Sequence, residues 1–222
     1  MRILLLGTPR SGSTSLYNLV KDHLSEFSYQ SFIEPFNPIL HERYMEKGYD
    51  FTKIDSLDNY KDLFVKTLYF SDPYDYNNNA FSSNREYINW CIKSFDKIII
   101  ILRRNNTEQA ESFIINEECS RLYGQSWHTP KVYRIDRIDK DLKNSRTKRF
   151  DESSKDLINL ALENDIKVFY YEDIFINKDL FQIESISSYI GLGEFKKSLT
   201  DEYILNESRR VRIEDSKDFK LI

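Results

Sequence analysis

The stretch RILLLGTPRSGST, residues 2–14, decides how the rest of the chain is read. Arg2–Leu6 is apolar without alternation, as in a parallel-sheet strand buried on both faces. Gly7 and Gly12 then give the G-x-x-x-x-G spacing of a phosphate-binding loop. From Ser13 onward, apolar residues at Leu16, Leu19, Val20, Leu24 and Phe27 fall at helical spacing. Strand, tight loop and helix in that order make an oxyanion cradle. Glycine permits the curvature, successive N–H groups converge, and the helix start adds partial positive charge. Only six glycines occur in the chain and two stand here, beside the hydroxyls of Ser11, Ser13, Thr14 and Ser15.

Working outward, short apolar runs alternate with helical patterns. This predicts a three-layer α/β domain over residues 1–222, a mainly parallel central sheet with helices on both faces, like the P-loop nucleotide hydrolases. Further strands are expected at Tyr29–Ile33, Leu63–Phe70, Lys97–Leu102 and Lys167–Tyr171. Helices are expected after Asn106 or Thr107 as N-cap with Glu108 in the first turn, over Ser154–Glu163, and over Asp179–Ile190 with Gly191 as the stop. Lys131–Phe150 carries eight Lys or Arg against three Asp, and reads as a solvated loop or as a lid that draws in an acidic acceptor or the cofactor. Residues 203–222 read as an irregular tail packed back on the domain.

Composition bounds the function. Hydrophobic residues at 40% and aromatics at 14% supply a core and exclude a wholly disordered chain. A net charge of −4 excludes a general polyanion binder, so no nucleic-acid partner is expected and any anion recognition is local. No run approaches the roughly 18 apolar residues of a spanning helix, so no membrane partner is expected. Cys91 and Cys119 form neither a disulfide framework nor a CxxC or Cys/His cluster, which fits a cytoplasmic setting. Oligomeric state is not readable.

The ligand class follows from one replacement. Ser13 stands where the nucleotide triphosphatase loop has its lysine, and the positive charge sits instead at Arg10. The strand KIIIIL ends in Arg103-Arg104, not in an aspartate that would help hold Mg²⁺; Glu172-Asp173 ends another strand. Two arginines at a strand end with no loop lysine suit a metal-free oxyanion.

These residues resemble the sulfotransferases that use 3′-phosphoadenosine 5′-phosphosulfate (PAPS). PRSGST at Pro9–Thr14 is similar to the family's 5′-phosphosulfate loop, with Arg10 in the place of its Lys or Arg. LRRNNTEQAES at Leu102–Ser112 is similar to its 3′-phosphate motif, an Arg near a strand end and a Ser eight residues on, here Arg104 and Ser112. LFVKT at Leu63–Thr67, VFYYEDI at Val168–Ile174 and YIGL at Tyr189–Leu192 resemble weaker family patterns in the same order. The resemblance implies sulfuryl transfer from PAPS to an acceptor hydroxyl, releasing adenosine 3′,5′-bisphosphate (PAP), without a metal. It implies cofactor contacts from Arg10, Ser11, Gly12, Ser13, Thr14, Ser15, Arg104 and Ser112. Arg10 would also be catalytic, stabilising charge on the leaving phosphate side.

An acceptor hydroxyl needs a general base. Many family members place a His after the Lys-Thr pair of the third strand, where this chain has Leu68. Carbohydrate-type members use a Glu before a Pro, and Glu34-Pro35 resembles that arrangement, so Glu34 is the catalytic base candidate and His41 the reserve. His23 and His128 read as structural or solvated; Lys66 could touch the sulfuryl oxygens or merely snorkel. Arg103 reads as a surface residue or partner of an acid, Glu172-Asp173 as a loop-anchoring pair, and Arg209, Arg210 and Arg212 as a solvated cluster that could reach the nucleotide. SDPYDYNNNAF, residues 71–81, could line a pocket for a small-molecule or glycan acceptor. Two rival functions remain: a P-loop kinase using Mg·ATP, and a nucleotide-binding module that has lost its base.

Overall fold

Five parallel strands form one sheet in this computed structural model, which describes residues 1–50, 57–70, 81, 83–123 and 138–205. They are β1 (Arg2–Gly7), β2 (Gln30–Ile33), β3 (Leu63–Leu68), β4 (Lys97–Leu102) and β5 (Lys167–Tyr170), in the order β2-β3-β1-β4-β5. Every pairing is parallel, so all five carboxyl ends reach the same edge. β1 is central, and Gly7 stands between Leu68 of β3 and Ile101 of β4. Each expected strand is present; β3 stops two residues short of Phe70.

Strand alternation sends successive side chains into two cores. Ile3, Leu5, Phe64, Ile99 and Ile101 pack with α1 (Ser13–Leu24) and α6 (Leu180–Ile190). Leu4, Leu6, Val65, Ile98 and Ile100 pack on the other face with α3 (Asn84–Ser94) and α5 (Lys140–Asn164). The result is the three-layer α/β sandwich expected from the sequence. Each fully buried Leu or Ile contributes about 1.5–3 kcal/mol. The edge strand β2 is closed by α2 (Pro38–Met45): the Tyr44 hydroxyl donates to the Ile33 carbonyl and accepts from the Ile33 N–H, each at 2.8 Å.

The basic segment is a correction. From Lys140 on it is not a loop but the opening turns of α5, and Asp139 caps the helix by accepting from the Leu142 N–H at 2.7 Å. Two of its cations find counter-charges on α4 (Asn106–Tyr123): Lys143 pairs with Glu111, and Arg146 pairs with Glu117 at 3.2 Å. Arg149 lies 4.4 Å over the ring of Phe70. The first part of that segment lies outside the described residues, as do His128, residues 71–80 and Arg209, Arg210 and Arg212. The tail opens with a π-helical turn, Asp201–Leu205, in which Ile204 is buried against α1 and Tyr203 donates to Asp22. Among the described residues no helix is long and apolar enough to cross a membrane.

Candidate functional site

The β1–α1 loop begins as a turn closed by the Ser11 N–H donating to the Thr8 carbonyl at 3.2 Å. Pro9 fixes the first central φ, and Arg10 holds φ 63 at the second, so the turn is type II with an arginine where glycine is usual. Gly12 follows at φ 80, and a Cβ there would stand 2.7 Å from both Phe175 Cε2 and Tyr171 Cδ2. The position therefore admits only glycine, by conformation and by space. An arginine held left-handed at Arg10 is strain of the kind that gathers at ligand sites.

The loop delivers the chain to a bare helix start. Gly12 occupies the N-cap of α1 with no side-chain cap, and the first turn has no acidic residue. At α3, α6 and α4 the cap position is filled. Ser83 caps α3 through the Glu86 N–H at 3.1 Å, and Asp179 caps α6 through the Phe181 N–H at 3.0 Å. For α4, Asn105 Oδ1 accepts from the Glu108 N–H at 3.1 Å, so its cap lies one residue before the expected Asn106. Only α1, among these, presents unclaimed N–H groups and uncompensated partial charge. Thr14 and Ser15 are exposed there, whereas Ser11 and Ser13 are buried.

α4 braces the loop and joins the two sequence motifs. Buried Gln109 donates from Nε2 to Thr8 Oγ1 at 2.7 Å and to the Pro9 carbonyl at 2.5 Å. Sequence reading passed over this residue, although its place in the second motif was visible. One turn on, Arg10 Nε donates to Ser112 Oγ at 3.0 Å. Arg10 is exposed as a residue, yet its guanidinium is held below the ordinary arginine pKa, first by desolvation and second by the charge of Arg103. Among the described residues no carboxylate pairs with Arg10.

At the end of β4 the two arginines part, as alternation requires. Arg103 turns to the α1 side and lies 4.5 Å over the ring of Tyr171, the same ring that abuts Gly12. It pairs with exposed Glu108 at 3.2 Å and lies 3.9 Å from Glu172. Arg104 turns to the opposite side, 4.1 Å over Tyr170, and binds Asp173 through both terminal nitrogens at 2.6 Å. That fork raises the Arg104 pKa and lowers that of Asp173. The Glu172 carboxylate accepts from the backbone N–H groups of Arg104 at 3.0 Å and Asn105 at 3.2 Å, filling the start of α4. Glu172 and Asp173 thus anchor the loop, the structural role read for them from the sequence.

Two strands from the loop, the proposed base has a partner. Glu34 follows β2 at φ 48 and forms an ion pair with Lys66 of β3, whose side chain is only 2% exposed. Asn37 Nδ2 donates to the other carboxylate oxygen at 3.0 Å. The neighbouring Thr67 points the other way and accepts from the Tyr87 hydroxyl at 2.9 Å. Two strand spacings put Glu34 about 10 Å from the loop along the carboxyl edge. His23 is buried against Phe27 and Phe195, and the side chain of His41 lies outside the described residues.

The structure therefore brings Arg10, Ser112, Gly12 and the α1 start together, turns Arg104 into a pair with Asp173, pairs Arg103 with Glu108 and Lys66 with Glu34, and adds Gln109. No protein-family model matches the chain, and no curated protein matches it.

Proposed function

We propose that the protein transfers a sulfuryl group from PAPS to an acceptor hydroxyl and releases PAP. The observation that carries this reading is the hydrogen bond from Arg10 to Ser112, which joins the phosphosulfate-loop motif to the 3′-phosphate motif. The uncapped start of α1 between Arg10 and the exposed hydroxyls of Thr14 and Ser15 supports it. The residues fit the nucleotide's anionic groups: N–H and hydroxyl donors with a guanidinium that has no carboxylate partner among the described residues.

In this reading the loop N–H groups of residues 12–15, with Ser13 and Thr14, hold the 5′-phosphate. Arg104 and Ser112 hold the 3′-phosphate; the Asp173 fork leaves Arg104 further N–H donors for it. The new acceptor O–S bond forms as the bridging S–O bond breaks, and the electron pair stays on the 5′-phosphate oxygen. Arg10 offsets that charge. Glu34 takes the acceptor proton on its carboxylate. Lys66 then loses its counter-ion and becomes available to the anionic group in transfer. The acceptor is proposed to be a small molecule or glycan; Glu34-Pro35 favours a sugar.

The test is ligand stabilisation. PAP without Mg²⁺ at about 100 times its Kd should add roughly 2.7 kcal/mol to unfolding stability. Preference for Mg·ATP would assign the kinase, and PAP binding without sulfation of any acceptor the degenerate module. Glu34→Gln should cost roughly 10²–10⁴-fold in transfer with PAP affinity unchanged. Full activity in that variant would move the base to another residue.

A further inference from the structure

We infer that Gln109 is a positioning residue for the anion loop: by holding the Pro9–Arg10 peptide it selects the turn that aims Arg10. The inference deepens the proposed function and rests on its reading of Arg10 as the guanidinium that serves the loop's ligand.

Local preference and observed turn disagree at this point. Pro9 suits the first central position of type I and type II turns alike. The second central position separates them. Type II needs a positive φ there, which glycine adopts freely and arginine resists, so Pro9-Arg10 by itself favours type I. The turn is nevertheless type II, with Arg10 at φ 63. The two turns differ in the orientation of a single peptide group, the one between Pro9 and Arg10. Turning it over reverses the Pro9 carbonyl and the Arg10 N–H, and shifts the start of the Arg10 side chain.

Gln109 reaches that peptide from α4, 100 residues away in sequence. Its Nε2 donates to the Pro9 carbonyl at 2.5 Å and to Thr8 Oγ1 at 2.7 Å. A carbonyl can only accept, so the amide nitrogen faces Pro9, and Oε1 is left buried with no hydrogen-bond partner among the described residues. Gln109 is fully buried, so that orphaned oxygen lowers stability. A side chain serving the core alone would be apolar here; this one forgoes a hydrogen bond to hold one carbonyl. Strained residues persist only where their surroundings fix them. Glycine at position 10 would remove the strain, but also the charge that Arg10 brings beside Ser112. An arginine there needs a lock outside the loop. Gln109 and Ser112 are three residues apart, so one face of α4 holds the Arg10 peptide and receives the Arg10 side chain.

The experiment compares wild type with Gln109→Met, which keeps the length of the side chain and has no donor. NMR reads the turn: the contact between the Pro9 Hα and Arg10 amide protons is strong in type II and weak in type I, and should fall in the variant. Calorimetric titration should show PAP binding weakened about tenfold, the scale of one hydrogen bond to a charged group. In an Arg10→Ala background the same change should cost less than about threefold, because Gln109 acts through Arg10; a residue that only supports the fold would cost the same in both backgrounds. Should Gln109→Met fail to fold, Gln109→Asn, one carbon too short to reach Pro9, must show the same losses. In a protein that binds PAP, an unchanged turn contact in the folded variant, or a turned peptide with wild-type affinity, overturns the inference and leaves the sulfotransferase reading standing. A wild type that ignores PAP but whose turn contact depends on Gln109 overturns the sulfotransferase reading and keeps Gln109 as the lock of the turn. A wild type with neither PAP binding nor the strong contact overturns both.

Discussion

At the carboxyl edge of the sheet, β1 and β4 each turn into a helix within a few residues, and the two helix starts are finished in opposite ways. The start of α4 is filled by the chain's own groups: Asn105 caps it, Glu172 accepts from two of its approaching N–H groups, and Asp173 clamps the neighbouring Arg104. The start of α1 carries no side-chain cap and no acid in its first turn, and lies beside an arginine with no described carboxylate. A helix start costs free energy when its N–H groups are left unmet, so a fold that fills one and not the other has a reason for the difference. Under the proposed function, the nucleotide supplies it. Any change that fills α1 or empties α4 probes that contrast.

The largest effect is expected at Gly12. Adding one methyl group meets both a left-handed φ and contacts at 2.7 Å from Phe175 and Tyr171. Gly12→Ala should cost about 2–4 kcal/mol in urea unfolding and abolish PAP binding. A variant with wild-type stability would show that the loop relaxes freely and is not built around that bend. Emptying the other helix comes next. Glu172→Ala strips the N–H groups of Arg104 and Asn105 of their acceptor and should cost about 1 kcal/mol. Sulfate should then restore more stability to the variant than it adds to the wild type, since the vacated start of α4 has become like α1.

Why one end was readable and the other not is a matter of range. The loop, its glycines and the five strands are local patterns, so RILLL, KIIIIL and the G-x-x-x-x-G spacing announced the sheet and the β1–α1 loop. Glu172 closes α4 from 68 residues away, and nothing in a single sequence states that reach. Alternation told that Arg103 and Arg104 diverge, but not which of them shares a side with α1; that depends on where the crossover packs. The start of α5 was missed because its turns are rich in charge. Their order comes from pairing with acids of α4, not from an apolar stripe, so a charged helix read as a loop.

A smaller effect, of opposite sign, tests the bare helix directly. Thr14 is exposed in the first turn of α1, where a carboxylate meets the helix dipole. Thr14→Asp should stabilise the ligand-free protein by about 0.5 kcal/mol and weaken PAP binding severely. Stability and binding moving in opposite directions is the signature of a position kept empty for a ligand. If both fell together, the α1 start would be short of space and its emptiness would carry no functional meaning.

The smallest effect belongs to the fork between Arg104 and Asp173, because the arginine side chain is half exposed and solvent and salt screen it. Asp173 has its pKa lowered by that fork, so the unfolded chain binds its proton first as pH falls. The stabilisation is therefore complete above about pH 4, the ordinary carboxylate value, and drains away as pH drops through the lowered native pKa. Arg104→Ala should flatten this acid limb and leave the neutral fold intact, read as unfolding free energy against pH at low salt. The same variant should bind PAP more weakly, since Arg104 is proposed to serve the 3′-phosphate. An unchanged acid limb with weakened PAP binding would mean that in solution the guanidinium is already free of Asp173 and facing the nucleotide. The β4 end would then be as open as the β1 end, and the contrast between them would fall. A flattened limb with PAP affinity intact would leave Arg104 as an anchor alone, with anion recognition on the Arg10 side of the sheet.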